Sequence, residues 1–302
     1  MRLFYNFLCL LLSSQLLFAQ HSNQNALLWK IEGKGIANPS YLFGTIHMIP
    51  KEDYFLPKGL EETLDHVHRI FFEINIDQMN DPGAMMGMMD KILMKNDTSL
   101  LDLVSAEEYG KMKDYFDTIG LPLTLFDHVK PMFLSAMAGT DGNPFALKDG
   151  SFKSYEFEIG EIAKKKNLET DGLETMEFQV SIFDSIPYGI QAKMLLESVL
   201  SAHENEEQMK QMYRNYKEQN LNALNQTISK EDQQLLPYLE MMLYNRNKNW
   251  IPIIKKAIEK EACFFAVGAG HLGGERGVIQ LLKNEGYELK PMKELKNEKM
   301  KE

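Results

Sequence analysis

Two apolar, strand-like runs in this chain end in the same four-residue pattern. Tyr41-Leu42-Phe43 leads into Gly44-Thr45-Ile46-His47, and Cys263-Phe264-Phe265-Ala266-Val267 leads into Gly268-Ala269-Gly270-His271. A strand that ends in Gly-x-x-His carries its imidazole just past the strand's carboxyl end, where open α/β sheets bind their ligands. Glycine at the turn lets the backbone bend and lets a ligand come close. Two such histidines can converge on one cleft and share a metal ion.

The surrounding sequence repeats a plan. Ala26–Ile31 reads as a strand paired through a turn-rich link with a second strand, Ser40–Ile46. Leu56-Pro57 opens a helix with Leu60, Leu64 and Val67 on one face, and Arg69–Ile74 reads as a buried strand. Near the other end, Ala262–Val267 is a strand, Gly277–Lys283 a helix and Tyr287–Met292 a closing strand. The expected fold is therefore α/β (α+β): one central mixed sheet from two strand–Gly-x-x-His–helix–strand halves. Between them, about residues 77–245, lies a large helical insertion. It includes an amphipathic helix over Tyr155–Lys166 and helical stretches over Phe178–Leu200 and Asn205–Asn245. Its methionines, Met85, Met86, Met88, Met89 and Met94, have spacing that suits helix packing better than copper ligation.

The amino terminus reads as an export signal. Arg2 supplies a positive charge, Leu8–Leu12 and Leu16–Phe18 form an apolar stretch too short to span a bilayer, and Ala19 offers a small residue for cleavage. The expected domain limits are thus a signal over 1–19 and one domain over 20–302, exported to a periplasm or secreted. No later segment is long and apolar enough for a spanning helix. The 33 basic and 43 acidic side chains leave a net charge of −10, which argues against nucleic acid as a partner. Once the signal is removed only Cys263 remains, inside a strand-like run, and it reads as a small buried hydrophobe.

Six histidines follow His21: His47, His66, His68, His128, His203 and His271. Only His47 and His271 leave strand ends through glycine-containing turns. His66, His68, His128 and His203 read as structural or exposed. Glu73 is the third candidate. It interrupts Ile70-Phe71-Phe72 and Ile74, and a carboxylate there is costly to bury without a cation or a metal beside it. Two imidazoles and one carboxylate are a hydrolytic metal set with positions left for water and substrate. The chain has no His-Glu-x-x-His helix of the usual zinc peptidases.

These residues carry a resemblance. Trp29 with Ser40–His47, Phe71-Phe72-Glu73, Asp171–Gln179, Arg246 within Asn245-Arg246-Asn247, and Val267–Leu272 with Gly286-Tyr287 together resemble the TraB/GumN family. That family includes the PrgY proteins and is similar to the Tiki metalloproteases. The blocks keep the family's order over nearly the whole chain after the signal. The resemblance implies His47, Glu73 and His271 as metal ligands, with Mn²⁺, Co²⁺ or Zn²⁺ as candidate ions. It implies Glu73, Glu174 and Arg246 as catalytic groups, Arg246 as an oxyanion or carboxylate holder, and Asn247 as a residue that orients it. Gln179, Asn247 and Thr45 fall on the substrate side. One position departs from the family pattern: where relatives tend to open a helix with aspartate, this chain has Tyr155-Glu156. Two functions follow from the resemblance: an exported metal-dependent hydrolase acting on peptides or proteins, or a non-catalytic protein that sequesters a peptide or haem in the same cleft.

Overall fold

The computed structural model describes residues 25–79, 82–138, 148–230 and 236–292. The signal segment, Gln20 and the lysine-rich tail lie outside the described residues. Six strands form one mixed sheet: β1 (Leu28–Glu32), β2 (Ser40–Thr45), β4 (Arg69–Ile74), β6 (Glu169–Glu174), β7 (Cys263–Gly268) and β8 (Glu288–Pro291). Their order across the sheet is β6-β4-β7-β2-β1-β8. A small second sheet pairs β3 (Ile49–Pro50) with β5 (Phe152–Lys153).

The central strands β6, β4, β7 and β2 are mutually parallel. The expected hairpin is β1 and β2, paired antiparallel, and β8 closes the sheet antiparallel to β1. Both Gly-x-x-His units thus contribute to one sheet, but they interleave. β7 of the second unit lies between β2 and β4 of the first. This puts the two motif strands side by side, with Thr45 opposite Gly268. Close approach here needs a residue without a side chain. A Cβ on Gly44 would sit 2.9 Å from Leu272 Cδ2 and 3.1 Å from Ala269 Cα, so the turn after β7 packs directly on β2.

Several helices are shorter than periodicity predicts, each for a backbone reason. The first, α1, is Leu60–Leu64 and starts no earlier because Gly59 before it has φ +85°, outside the helical region. The stretch expected over Phe178–Leu200 is two helices, α2 (Met176–Phe183) and α3 (Tyr188–Leu200). Pro187 between them lacks an N–H and disfavours helical geometry at Ile186. Likewise Gln219, at φ +55°, separates α4 (Ala202–Lys217) from α5 (Leu221–Lys230). The amphipathic helix Tyr155–Lys166 forms as expected, capped by the Ser154 hydroxyl.

The main core surrounds the sheet. Trp29, Phe43, Phe72, Phe264 and Phe265 are fully buried there, with Tyr155, Tyr216 and Trp250 packed on from helices. A second apolar cluster, with Leu100, Met112, Phe116, Leu134 and Leu195, holds helices of the middle region together. Met94 is buried and Met89 is exposed; the side chains of Met85, Met86 and Met88 lie outside the described residues. Cys263 is fully buried in the main core, which pushes its thiol up to about 12. It packs as an inert apolar residue, as expected.

Candidate active site at the carboxyl edge of the sheet

Parallel strands all present their carboxyl ends at one edge, and here that edge collects Glu73 from β4, Glu174 from β6, Gly268 from β7 and Thr45 from β2. A 3₁₀ turn, Ala269–His271, carries His271 in from the end of β7. The remaining residues come from α6 (Asn245–Ile258), which follows a π-helical turn at Glu240–Tyr244. Arg246 and Trp250 are four apart on α6 and so share a face, with Asn247 beside them.

Arg246 is the hub. Its Nη2 donates to Glu73 Oε2 and to Glu174 Oε1, each at 2.5 Å. Its Nε donates to Glu174 Oε1 at 2.9 Å, and its Nη1 donates to the Met242 carbonyl at 2.9 Å. The Gln179 amide donates to both carboxylates, at 3.1 Å to Glu73 and 2.7 Å to Glu174. Trp250 Nε1 completes Glu174 by donating to Oε2 at 3.0 Å. Glu73 Oε1 accepts the Gly268 backbone N–H at 2.8 Å. A buried carboxylate must be paired and hydrogen-bonded, and both of these are.

His271 is almost fully buried, with its ring centroid 4.5 Å from that of Trp250. The Asn247 amide nitrogen donates to the Arg276 carbonyl at 2.9 Å, which turns its oxygen toward His271 Nδ1 at 2.6 Å. This network assigns the proton to Nδ1 and leaves the lone pair on Nε2. Arg246 Nη1 approaches that Nε2 at 3.2 Å, and Glu73 Oε1 lies 3.7 Å from it. Burial lowers His271 to about 4, Arg246 adding to the effect and Glu73 opposing it, so the ring is neutral at pH 7. Burial alone would raise Glu73. The charges of His271 when protonated, of Arg246 and of His47, with the Gly268 N–H, outweigh burial and hold it at about 2. With His271 neutral, Arg246 and then His47 are the largest remaining causes, ahead of the Gly268 N–H.

His47 stands apart from this cluster. Its Nδ1 lies 3.3 Å from Glu156 Oε1, which also accepts the Thr45 hydroxyl at 2.8 Å. Glu156 Oε2 accepts from the Ser154 hydroxyl at 3.0 Å. The hydrogen bond to Glu156 raises His47 to about 9, and its interactions reach Glu73 and Arg246 as well. The His47 side chain is 75% exposed, so water screens this pair.

Of the residues singled out in the sequence, Glu73, Glu174, Gln179, Arg246, Asn247 and His271 therefore form one hydrogen-bonded cluster. Thr45 and His47 form a second group around Glu156. Asn247 contacts His271 and the Arg276 carbonyl, and orients the imidazole rather than Arg246. Among the described residues, no three His, Cys, Asp or Glu side chains are grouped to hold a metal. His66 and His68 are exposed and distant in role, and His128 binds the Thr98 carbonyl. The side chain of His203 lies outside the described residues. Sequence reasoning did not select Trp250, although it sits one helical turn after Arg246. Nor did it select Glu156, whose signal was the departure at the opening of its helix.

The donor set still suits a divalent cation in kind. His271 Nε2 and Glu73 Oε1 are two electron-pair donors with no proton assigned between them. Their 3.7 Å separation is one that a single ion, bound at about 2 Å from each, can bridge. Both motif histidines have Nδ1 tied to an oxygen partner, Asn247 for His271 and Glu156 for His47. That is the arrangement that orients metal-binding imidazoles for ligation through Nε2.

The chain belongs to the TraB/PrgY/gumN family, whose profile matches residues 27–291. It is distantly similar to Metalloprotease TIKI2 of Danio rerio, at 22% identity over 325 residues, covering 88% of this chain and 61% of that protein. Metalloprotease TIKI1 of Danio rerio is 22% identical over 321 residues, 89% of this chain and 63% of the relative. Metalloprotease TIKI1 of Homo sapiens is 20% identical over 322 residues, with 89% and 62% covered. The chain thus spans about three-fifths of the length of these curated relatives. No solved structure matches. Among the described residues no helix is long and apolar enough to cross a membrane.

Proposed function

We propose that this chain is an exported, metal-dependent hydrolase that cleaves peptide bonds. The observation that carries the reading is the facing pair His271 Nε2 and Glu73 Oε1, two buried donors that share no assigned proton and stand at the carboxyl ends of the sheet's parallel strands. The names of the relatives, metalloproteases, point the same way. His271, Glu73 and His47 would hold the ion, with His47 approaching from its exposed position beside Glu156. Mn²⁺, Co²⁺ and Zn²⁺ all accept such a nitrogen and oxygen set.

A divalent ion at this place supplies Lewis acidity, polarising a substrate carbonyl and making water easier to deprotonate. The chain's own groups do the rest. Glu73, held ionised, is placed to accept the proton of an attacking water. Arg246, always charged and forked, steadies negative charge developing on the carbonyl oxygen. Glu174, fixed by Trp250, holds Arg246 in place. Gln179 bridges the two carboxylates. Asn247 keeps the His271 tautomer, and Thr45 with Glu156 keeps His47 oriented.

Metal-depleted protein should cleave a peptide library only after Mn²⁺, Co²⁺ or Zn²⁺ is restored, and His271→Ala and His47→Ala should each abolish that cleavage. Undiminished activity in His271→Ala would exclude this site. Amino-terminal sequencing of protein from cells should place the first residue at or near Gln20; an intact Met1 would exclude export through this signal.

A further inference from the structure

One of the two candidate ligand atoms, His271 Nε2, and the second oxygen of Glu73 already face a cation. The Arg246 guanidinium spans Glu73 Oε2 through Nη2 at 2.5 Å and His271 Nε2 through Nη1 at 3.2 Å, while Nε and Nη2 grip Glu174 Oε1. The side chain is only 11% exposed. From these contacts we infer that Arg246 is a resident competing cation: it holds His271 Nε2 and the second oxygen of Glu73, Oε2, and its guanidinium must withdraw from them before His271 Nε2 and Glu73 Oε1 take a metal. This rests on the metal-binding reading given above and adds a step to it.

The charge balance requires such an arrangement. Two carboxylates, Glu73 and Glu174, are buried within reach of each other, linked by one guanidinium and one neutral amide. Without a positive charge between them, one would have to protonate or the site would open. Arg246 therefore keeps the ion-free protein folded and its ligand atoms in position. Its bonds divide into two sets. Those to Glu174 and the Met242 carbonyl anchor the side chain on one side, while those to Glu73 and His271 reach across to the candidate ligands. Withdrawal need break only the second set. The freed N–H groups then face the space beside Glu73, where a carbonyl oxygen undergoing attack would gain from them.

The backbone before Arg246 supplies a place for this movement. The π-helical turn Glu240–Tyr244 ends two residues before it and contains the Met242 carbonyl that binds Nη1. π-Helical turns set wider hydrogen-bond rings into a helix and recur at functional positions. Arg276, stacked over the Tyr244 ring at 3.7 Å, also joins this turn to the loop after His271.

The test is equilibrium binding of Mn²⁺ alone, by calorimetry on metal-depleted protein, in the wild type, Arg246→Met, Arg246→Lys and His271→Ala. Arg246→Met should bind Mn²⁺ at least about tenfold more tightly than the wild type. Arg246→Lys keeps the charge but lacks the fork that bridges both partners, and should fall between. His271→Ala should lose the binding, which locates the ion. If Arg246→Met is unfolded without metal, Mn²⁺ should restore its native circular dichroism. Binding in the wild type that disappears in His271→Ala but is unchanged or weaker in both Arg246 variants would overturn the competition and leave the metal site standing. No Mn²⁺ binding by any of the proteins would overturn both.

Discussion

His271 Nδ1 and Asn247 Oδ1 lie 2.6 Å apart, and this contact decides which imidazole nitrogen faces the cleft. Asn247 is itself held by the Arg276 carbonyl at 2.9 Å, so its amide cannot rotate without breaking both bonds. A helix residue next to Arg246 thus controls a histidine 24 positions later.

Replacing Asn247 with alanine leaves the His271 Nδ1–H and the Arg276 carbonyl without these partners. Leaving buried polar groups unpaired costs about 1–3 kcal/mol, readable by urea unfolding. The larger effect should fall on peptide cleavage, since Nε2 is then no longer reserved as the lone-pair nitrogen. Nitrogen-15 chemical shifts of the His271 ring should show mixed tautomers in Asn247→Ala and one tautomer in the wild type.

Acid should destabilise the fold in two stages. Folded His271 titrates at about 4, against about 6.5 for an unfolded imidazole, so the unfolded chain takes up a proton that the folded chain refuses. That contribution is complete above about pH 6.5 and is lost as the pH falls to about 4. Folded Glu73 titrates at about 2, against about 4.3 unfolded, so its contribution is lost lower down, between those values. Thermal melting from pH 7 to 3 should show Tm falling in both ranges, with the upper range flattened in His271→Gln. A wild-type Tm that is constant from pH 7 to 4 would contradict this assignment.

His47 behaves in the opposite sense. Its pairing with Glu156 favours the charged ring, so that contribution is full below about pH 6.5 and is lost as the pH rises through about 9. Proton NMR of the ring should give a midpoint well above an ordinary histidine. In Glu156→Gln the midpoint should drop toward the ordinary value, and the Thr45 hydroxyl should lose its charged acceptor.

At Gly44, the Cβ of alanine would lie 2.9 Å from Leu272 Cδ2 and 3.1 Å from Ala269 Cα, so that side chain and the Ala269 backbone would have to shift. Overpacking of this kind costs about 1–3 kcal/mol. Chemical denaturation of Gly44→Ala should show that loss. Because the displaced backbone leads directly to His271, metal affinity should weaken alongside stability.

The sequence by itself determined the strands that matter and the residues that end them. Tyr41–Phe43 and Cys263–Val267 are apolar, short and stopped by glycine, and local composition is enough to make them strands. Glu73 was legible because a carboxylate inside an apolar run has to find a positive partner. The middle helices were legible in kind but too long, since the breaks depend on single backbone positions, Gln219 and Pro187, that apolar periodicity does not register. What only the tertiary structure decided is who meets whom. Parallel pairing with β7 between β2 and β4 brings the ends of β2, β4, β6 and β7 to one edge. Arg246 reaches Glu73 and Glu174 across 173 and 72 residues of chain, and Glu156 reaches Thr45 across 111. Such contacts arise from sheet register and helix packing, which are set by burial of the whole core. Local sequence can therefore name the charged groups, but the packed fold selects Arg246 as the cation between the carboxylates and Glu156 as the partner of His47.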